Sequence, residues 1–202
     1  MKKTIFLAMA VFLLASSFKP EGGYKVGDEA VDFKLKNVNG KDVSLADYKD
    51  AKGYIVVFTC NHCPFSIKYE DRIIALDKKY RGLGYPVIAI NPNDAVTHES
   101  DNFENMKKRA REKKFTFPYL QDESQTIATS YGATRTPHVY ILKKEARGNI
   151  VKYIGAIDDN SDDEKAVKEK YVEKAVDALL SGKDADPNFT KAIGCTIKWK
   201  KS

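Results

Sequence analysis

A second C-x-x-C pair is missing from the 202 residues, and its absence leaves no four-cysteine metal site to be completed. No basic stripe carries interleaved aromatics, so nothing marks a nucleic-acid surface. Internal repeats and low-complexity tracts are absent as well. The acidic run Asp158-Asp159-Asn160-Ser161-Asp162-Asp163-Glu164 lacks EF-hand spacing, and it reads as a solvated loop whose last acids favour a following helix start. The one long apolar run, residues 5–14, is too short to span a bilayer comfortably. Lys2 and Lys3 precede it and small Ala15, Ser16 and Ser17 follow, so residues 1–17 have the form of a secretory signal. No cysteine follows to take a lipid. Cleavage after Ser17 would leave an exported, periplasmic chain without stable membrane insertion; an uncleaved anchor is the alternative. Losing Lys2 and Lys3 takes the formal charge from +6 to +4, a balance that mainly implies solubility.

What is present suffices for one domain with a sizeable core, over residues 18–182, followed by a tail over residues 183–202. Its organising stretch is residues 54–64, YIVVFTCNHCP. Tyr54, Ile55, Val56, Val57 and Phe58 form a short β-branched and aromatic run that reads as a buried strand. Beyond the cysteines, Phe65, Tyr69, Ile73, Leu76 and Tyr80 recur at helical spacing and make one apolar face. Cys60 and Cys63 therefore fall at a helix start, where residues three apart lie roughly 5–6 Å apart at Cβ. A disulfide needs about 3.5–4.5 Å, so a modest adjustment closes it. Unpaired N–H groups and the helix dipole are expected to depress the Cys60 pKa and make it the attacking sulfur. Protonated His62 adds a second stabilising charge, Cys63 one turn inside is the shielded resolving thiol, and Pro64 suits a first turn. A static disulfide and half of a zinc or copper site are the competing readings.

Around this centre, strands and helices alternate, which indicates an α/β fold. Val31, Phe33 and Leu35 alternate with polar residues, Asn39-Gly40 signals a hairpin turn, and Val43 with Leu45 continues the pattern. Residues 87–90 form a second buried strand, Ser100 can cap a helix carrying Phe103, Met106 and Ala110, and residues 117–120 look extended. A short helix over residues 123–131 stops at Gly132. Strands over residues 139–142 and 150–154 flank a turn at Arg147-Gly148-Asn149, and a last helix over residues 162–180 carries Val167, Tyr171, Ala175 and Leu179.

This order resembles the thioredoxin fold, a central mixed β-sheet flanked by helices, here with an N-terminal β-hairpin extension. DFKLKNVNGKDVSLADY and FPYLQDESQTIATSYGA are similar to its redoxin branch, which groups alkyl hydroperoxide reductase/thiol-specific antioxidant proteins with exported thioredoxin-like reductases. The specific motifs are Cys60-Asn61-His62-Cys63 and Thr136-Pro137. The resemblance implies a cis Pro137 packed beside the sulfurs, with the Thr136 backbone free to pair with an extended substrate segment. Asn61 and Pro64 would border that segment. It also implies a thiol-disulfide oxidoreductase without a cofactor, exchanging with protein or small-molecule thiols and with an electron donor or acceptor protein. Thr59 stands where thioredoxins carry tryptophan, and Asn61-His62 replaces Gly-Pro. A histidine before the second cysteine resembles the periplasmic disulfide oxidase and suggests a raised potential.

Two other functions compete. Thiol-dependent peroxidases of the peroxiredoxin type carry Pro-x-x-x-Thr-x-x-Cys, whereas here Thr59 directly precedes Cys60; Arg135 could polarise a peroxide or be a solvated loop residue. Copper chaperones of this fold use two cysteines and a distant histidine, a set that Cys60, Cys63 and His138 could supply, although those proteins carry C-x-x-x-C. His138 otherwise points away from the sulfurs, and His98 is an exposed loop residue. Cys195 is the odd cysteine, able to pair between chains or resolve a mixed disulfide. Its alternation with Ile193, Ile197 and Trp199 instead suggests a small buried hydrophobe.

Overall fold

Six consecutive residues of β4 (Gly53–Phe58) are buried, because both faces of this strand carry apolar side chains and both are covered. Ile55 and Val57 point into one core layer, Tyr54, Val56 and Phe58 into another. The computed structural model describes residues 22–201, so the expected signal segment lies outside the described residues. Strand β4 runs parallel to β5 (Val87–Asn91) and antiparallel to β8 (His138–Glu145). Further strands are β1 (Glu29–Ala30), β2 (Lys34–Asn37), β3 (Asp42–Ser44), β6 (Tyr119–Gln121) and β9 (Gly148–Gly155). Together they form one mixed sheet in the order β1-β9-β8-β4-β5-β6-β2-β3. The hairpin β2–β3 turns at Gly40, where φ is +86°, and pairs through β2 with β6, so this N-terminal hairpin extends the main sheet.

Helix α1 (Pro64–Tyr80) lays Tyr69, Ile73, Leu76 and Tyr80 on one face of the sheet, beside Val172, Ala175, Val176 and Leu179 of α4 (Tyr171–Leu180). The other face is covered by Tyr24, Phe33, the helix α3 (Thr126–Tyr131) and Ile197 of the C-terminal tail. This is the thioredoxin arrangement, of α/β class, with central mixed strands between helices.

Three expected helices begin elsewhere. The last helix begins at Tyr171, not near residue 162. Asp163 accepts from Lys165 N and Asp159 from Lys168 N, so short polar side chains capture backbone donors that a helix would need. The short helix α3 starts at Thr126 because Gln125 is left-handed, with φ +60°. Helix α2 (Phe103–Glu112) is capped by Asn102, which accepts from Asn105 N, and not by Ser100. The acidic run is not wholly solvated either: Asp158 is buried and accepts from Tyr69 Oη and Arg72 Nη1, both at 2.7 Å.

Candidate active site

Proline fixes where the cysteines fall relative to α1. Pro64 occupies the first helical position, and the residue before a proline is pushed out of the α region, so Cys63 is extended (φ −67°, ψ 123°) and is the N-cap. Cys60 lies three residues earlier, in the loop leaving β4, and not on the helix start as expected. The register of β4 with β8 pairs Phe58 with His138, and continuing it brings Cys60 level with Thr136. There Cys60 Sγ is 3.3 Å from Thr136 Oγ1, and Cys63 Sγ is 3.1 Å from Thr136 O. The Thr136–Pro137 bond is cis, and Pro137 is buried. All three cysteines are unbridged, and the pair is enclosed: Cys60 is 3% exposed and Cys63 0%.

A carboxylate that the sequence reading passed over holds this loop. Asp101, 1% exposed, accepts from Asn61 N at 2.6 Å, from Asn93 Nδ2 at 2.9 Å and from Asn91 Nδ2 at 3.3 Å. His62 Nδ1 is 2.5 Å from its Oδ2. Asn61 is also committed inward: its Nδ2 donates to Ser100 O, and its Oδ1 accepts from Tyr119 Oη at 3.0 Å. These bonds anchor the loop, whereas Pro64 stays exposed. His62 is half-buried and stacks on His98, ring centroids 5.1 Å apart, so His98 is part of this wall and not a bare loop residue. The only signals for Asp101 in the sequence were the Asn-rich loop and an acid two residues ahead of a helix.

These surroundings invert the expected acidity. The interaction of the two neighbouring sulfurs raises Cys60 above the ordinary thiol range and pulls Cys63 down to about 4. Burial and the Asp101 carboxylate push Cys60 further up; the Cys195 thiol and the Ser66 N–H draw Cys63 down against the opposing effect of burial. The contact of Cys63 with Thr136 O is open only to a protonated thiol, so the helix N-terminus and the neighbouring thiols have to outweigh it. Positive charge on His62 is offset by Asp101, which limits its help to Cys60.

The edge expected to take a substrate strand is already occupied. In the tail, β10 (Cys195–Thr196) pairs antiparallel with β7 (Arg135–Thr136), Cys195 opposite Thr136. Arg135 Nη1 donates to Gly194 O at 3.4 Å, so it holds the tail. The alternation expected there fails: Ile197 is 3% exposed, but Ile193 and Trp199 are 46% and 44% exposed, and Cys195 is half-buried. Cys60, Cys63 and His138 do not form a metal-ligand set among the described residues. Cys60, His62 and Asp101 do converge, with one ligand atom of each within 4.8 Å of the others. His138 is buried, which lowers its pKa to about 4, and its Nδ1 accepts from Thr134 N.

Comparison with known proteins accords with this geometry. A crystal structure of a hypothetical protein from Sinorhizobium meliloti 1021 has a TM-score of 0.82 and 34% identity, covering 89% of this chain and 97% of that one. One of an uncharacterized conserved protein from Geobacillus kaustophilus has a TM-score of 0.81 and 37% identity, covering 92% and 95%. The thiol-disulfide oxidoreductase ResA of Geobacillus thermodenitrificans is 23% identical over 146 residues, 71% of this chain and 78% of that protein. The expectation of an oxidoreductase is borne out by relatives of this kind. Residues 26–172 match the AhpC/TSA family, a span that takes in the C-x-x-C loop, the Asp101 hub and the cis proline; the chain belongs to the AhpC/TSA family.

Proposed function

We propose that the chain carries out thiol-disulfide exchange, with Cys60 and Cys63 as a two-electron store that cycles between dithiol and disulfide. The observation that carries this reading is the convergence of both sulfurs on Thr136, one on its hydroxyl and one on its carbonyl, beside Pro137. Closing the disulfide releases two electrons and two protons. The first proton leaves Cys63, whose pKa is lowered, chiefly by the neighbouring Cys60 sulfur. The second leaves Cys60, and the His62–Asp101 pair, within 4.8 Å of Cys60 Sγ, is placed to take it. A stabilised thiolate favours the reduced form, so the pair is expected to have a higher potential than an ordinary thioredoxin.

Substrates are protein or small-molecule thiols and disulfides, and a redox protein resets the pair. The leader-like residues 1–17 support work outside the cytosol, in the periplasm, where a disulfide persists unless something reduces it. No helix among the described residues is long and apolar enough to cross a membrane.

Treatment with oxidised glutathione should remove two hydrogens from the tryptic peptide spanning residues 53–68, which holds both cysteines. Cys60→Ser and Cys63→Ser should each slow insulin reduction by about a hundredfold or more. Undiminished turnover in both variants would overturn the reading, and thiol-dependent consumption of peroxide by them would point to other chemistry.

A further inference from the structure

The two sulfurs that store electrons are buried, at 3% and 0% exposure, while Cys195 is half-buried and so is the outermost of the three. Its place is built, not incidental. Cys195 pairs with Thr136, the residue whose carbonyl touches Cys63 and whose hydroxyl touches Cys60. Gly194 lets the strand come this close, since a Cβ there would collide with the Thr136 carbonyl. Beyond Cys195 the tail is pinned. Ile197 N donates to Thr134 O, Lys198 O accepts from Asp94 N at 2.8 Å and from Gln125 Nε2 at 2.8 Å, and Lys198 N donates to Asn93 Oδ1 at 2.9 Å. Cys195 stands opposite Thr136, whose carbonyl Cys63 Sγ touches at 3.1 Å, so the two cysteines flank one residue. Burial and the neighbouring Cys63 raise the Cys195 thiol to about 11, against the smaller opposing charges of Lys198 and Arg135.

We infer that Cys195 is a third catalytic cysteine, the sulfur through which outside thiols exchange with the buried Cys60–Cys63 pair. The inference rests on the reading of that pair as the redox centre. Three exchanges suffice when the disulfide form takes up electrons. The Cys195 thiolate attacks Cys63 Sγ, forming a Cys63–Cys195 disulfide; the Cys60–Cys63 bond breaks, and the Cys60 thiolate takes up the proton that Cys195 gave up. One thiolate of an outside dithiol then attacks Cys195 Sγ, and Cys63 leaves as a thiolate, the better leaving group of the two internal sulfurs. The second outside thiolate closes on the first, and Cys195 is released and reprotonated. Overall the outside dithiol becomes a disulfide, losing two electrons and two protons, and Cys60 and Cys63 end reduced. The reverse sequence reduces an outside disulfide.

Tryptic peptides separate the possibilities, because Cys60 and Cys63 share the peptide of residues 53–68 and Cys195 lies in that of residues 192–198. Oxidised by oxidised glutathione, Cys60→Ser should yield the two peptides joined through Cys63 and Cys195, while Cys63→Ser should not join Cys60 to Cys195. Oxidised Cys195→Ser should keep the Cys60–Cys63 bond yet react with reduced glutathione about tenfold or more slower than the wild type. Gly194→Ala, which keeps every thiol but displaces the strand, should slow it too. A wild-type rate in Cys195→Ser, or no cross-link in Cys60→Ser, would overturn the relay and leave the pair intact. Failure of the wild type to form any Cys60–Cys63 bond would instead remove the reading beneath it.

Discussion

Cys60 and Cys63 carry the same thiol group in fields of opposite sign. The neighbouring Cys63 sulfur, burial and Asp101 keep the proton on Cys60, while the Cys60 and Cys195 thiols and the Ser66 N–H draw it from Cys63. Ultraviolet thiolate absorbance of the reduced protein should therefore titrate with a midpoint near pH 4, and the step should vanish in Cys63→Ser. Cys60→Ala removes the largest lowering contribution and should move the midpoint upward. The sign extends to stability: the folded value lies below the unfolded one of about 8.5, so ionised Cys63 stabilises the reduced fold fully above the unfolded value. That stabilisation fades as the pH falls and is gone below about 4. Only the position of the cap was legible in Cys63-Pro64, because a proline at the first helical position sets the cap one residue earlier; placing Cys60 at the helix start and Cys63 one turn inside assigns the lowered acidity to the other sulfur. Asp101 was not legible: an acid before a helix looks like any other, and only the fold carries it to Asn61.

Between elements, three buried acids tie α1 to its surroundings. Glu70 takes a bidentate contact from Arg109 of α2, and Asp77 accepts from Thr116 Oγ1 and Val87 N. Asp158 joins the connection after β9 to α1 through Tyr69 and Arg72, whose side chain is 10% exposed. Removing one partner of such a pair leaves a buried charge without compensation. Asp158→Ala should cost about 3–5 kcal/mol in urea unfolding. A loss below about 1 kcal/mol, the value of an exposed pair, would show that water reaches Arg72. The strands β4 and β5 were readable because unbroken apolar runs have few other homes. The start of α4 was not, since charge and periodicity continue through residues 162–170 while side chains there cap the backbone instead.

Across the whole molecule, the tail closes the ring of structure around the sulfurs. Its likeness to a sheet strand is weak in sequence, with two residues paired, and its partner β7 lies about sixty residues earlier. Neither periodicity nor propensity could place it. A chain ending at Lys191 should stay folded, losing about 2 kcal/mol with the burial of Ile197 and more with the hydrogen bonds that pin the tail to Asn93, Asp94 and Gln125. Iodoacetamide should then label Cys63 about tenfold or more faster, read on the peptide of residues 53–68. An unchanged labelling rate would show that the strand is not what shields the pair.

Enclosure of the pair also bears on how the protein is counted in the laboratory. A bulky colorimetric reagent added to the native reduced chain should register fewer than the three thiols it contains. The full count should appear only after denaturation, so a low native value is a property of the architecture and no sign of prior oxidation.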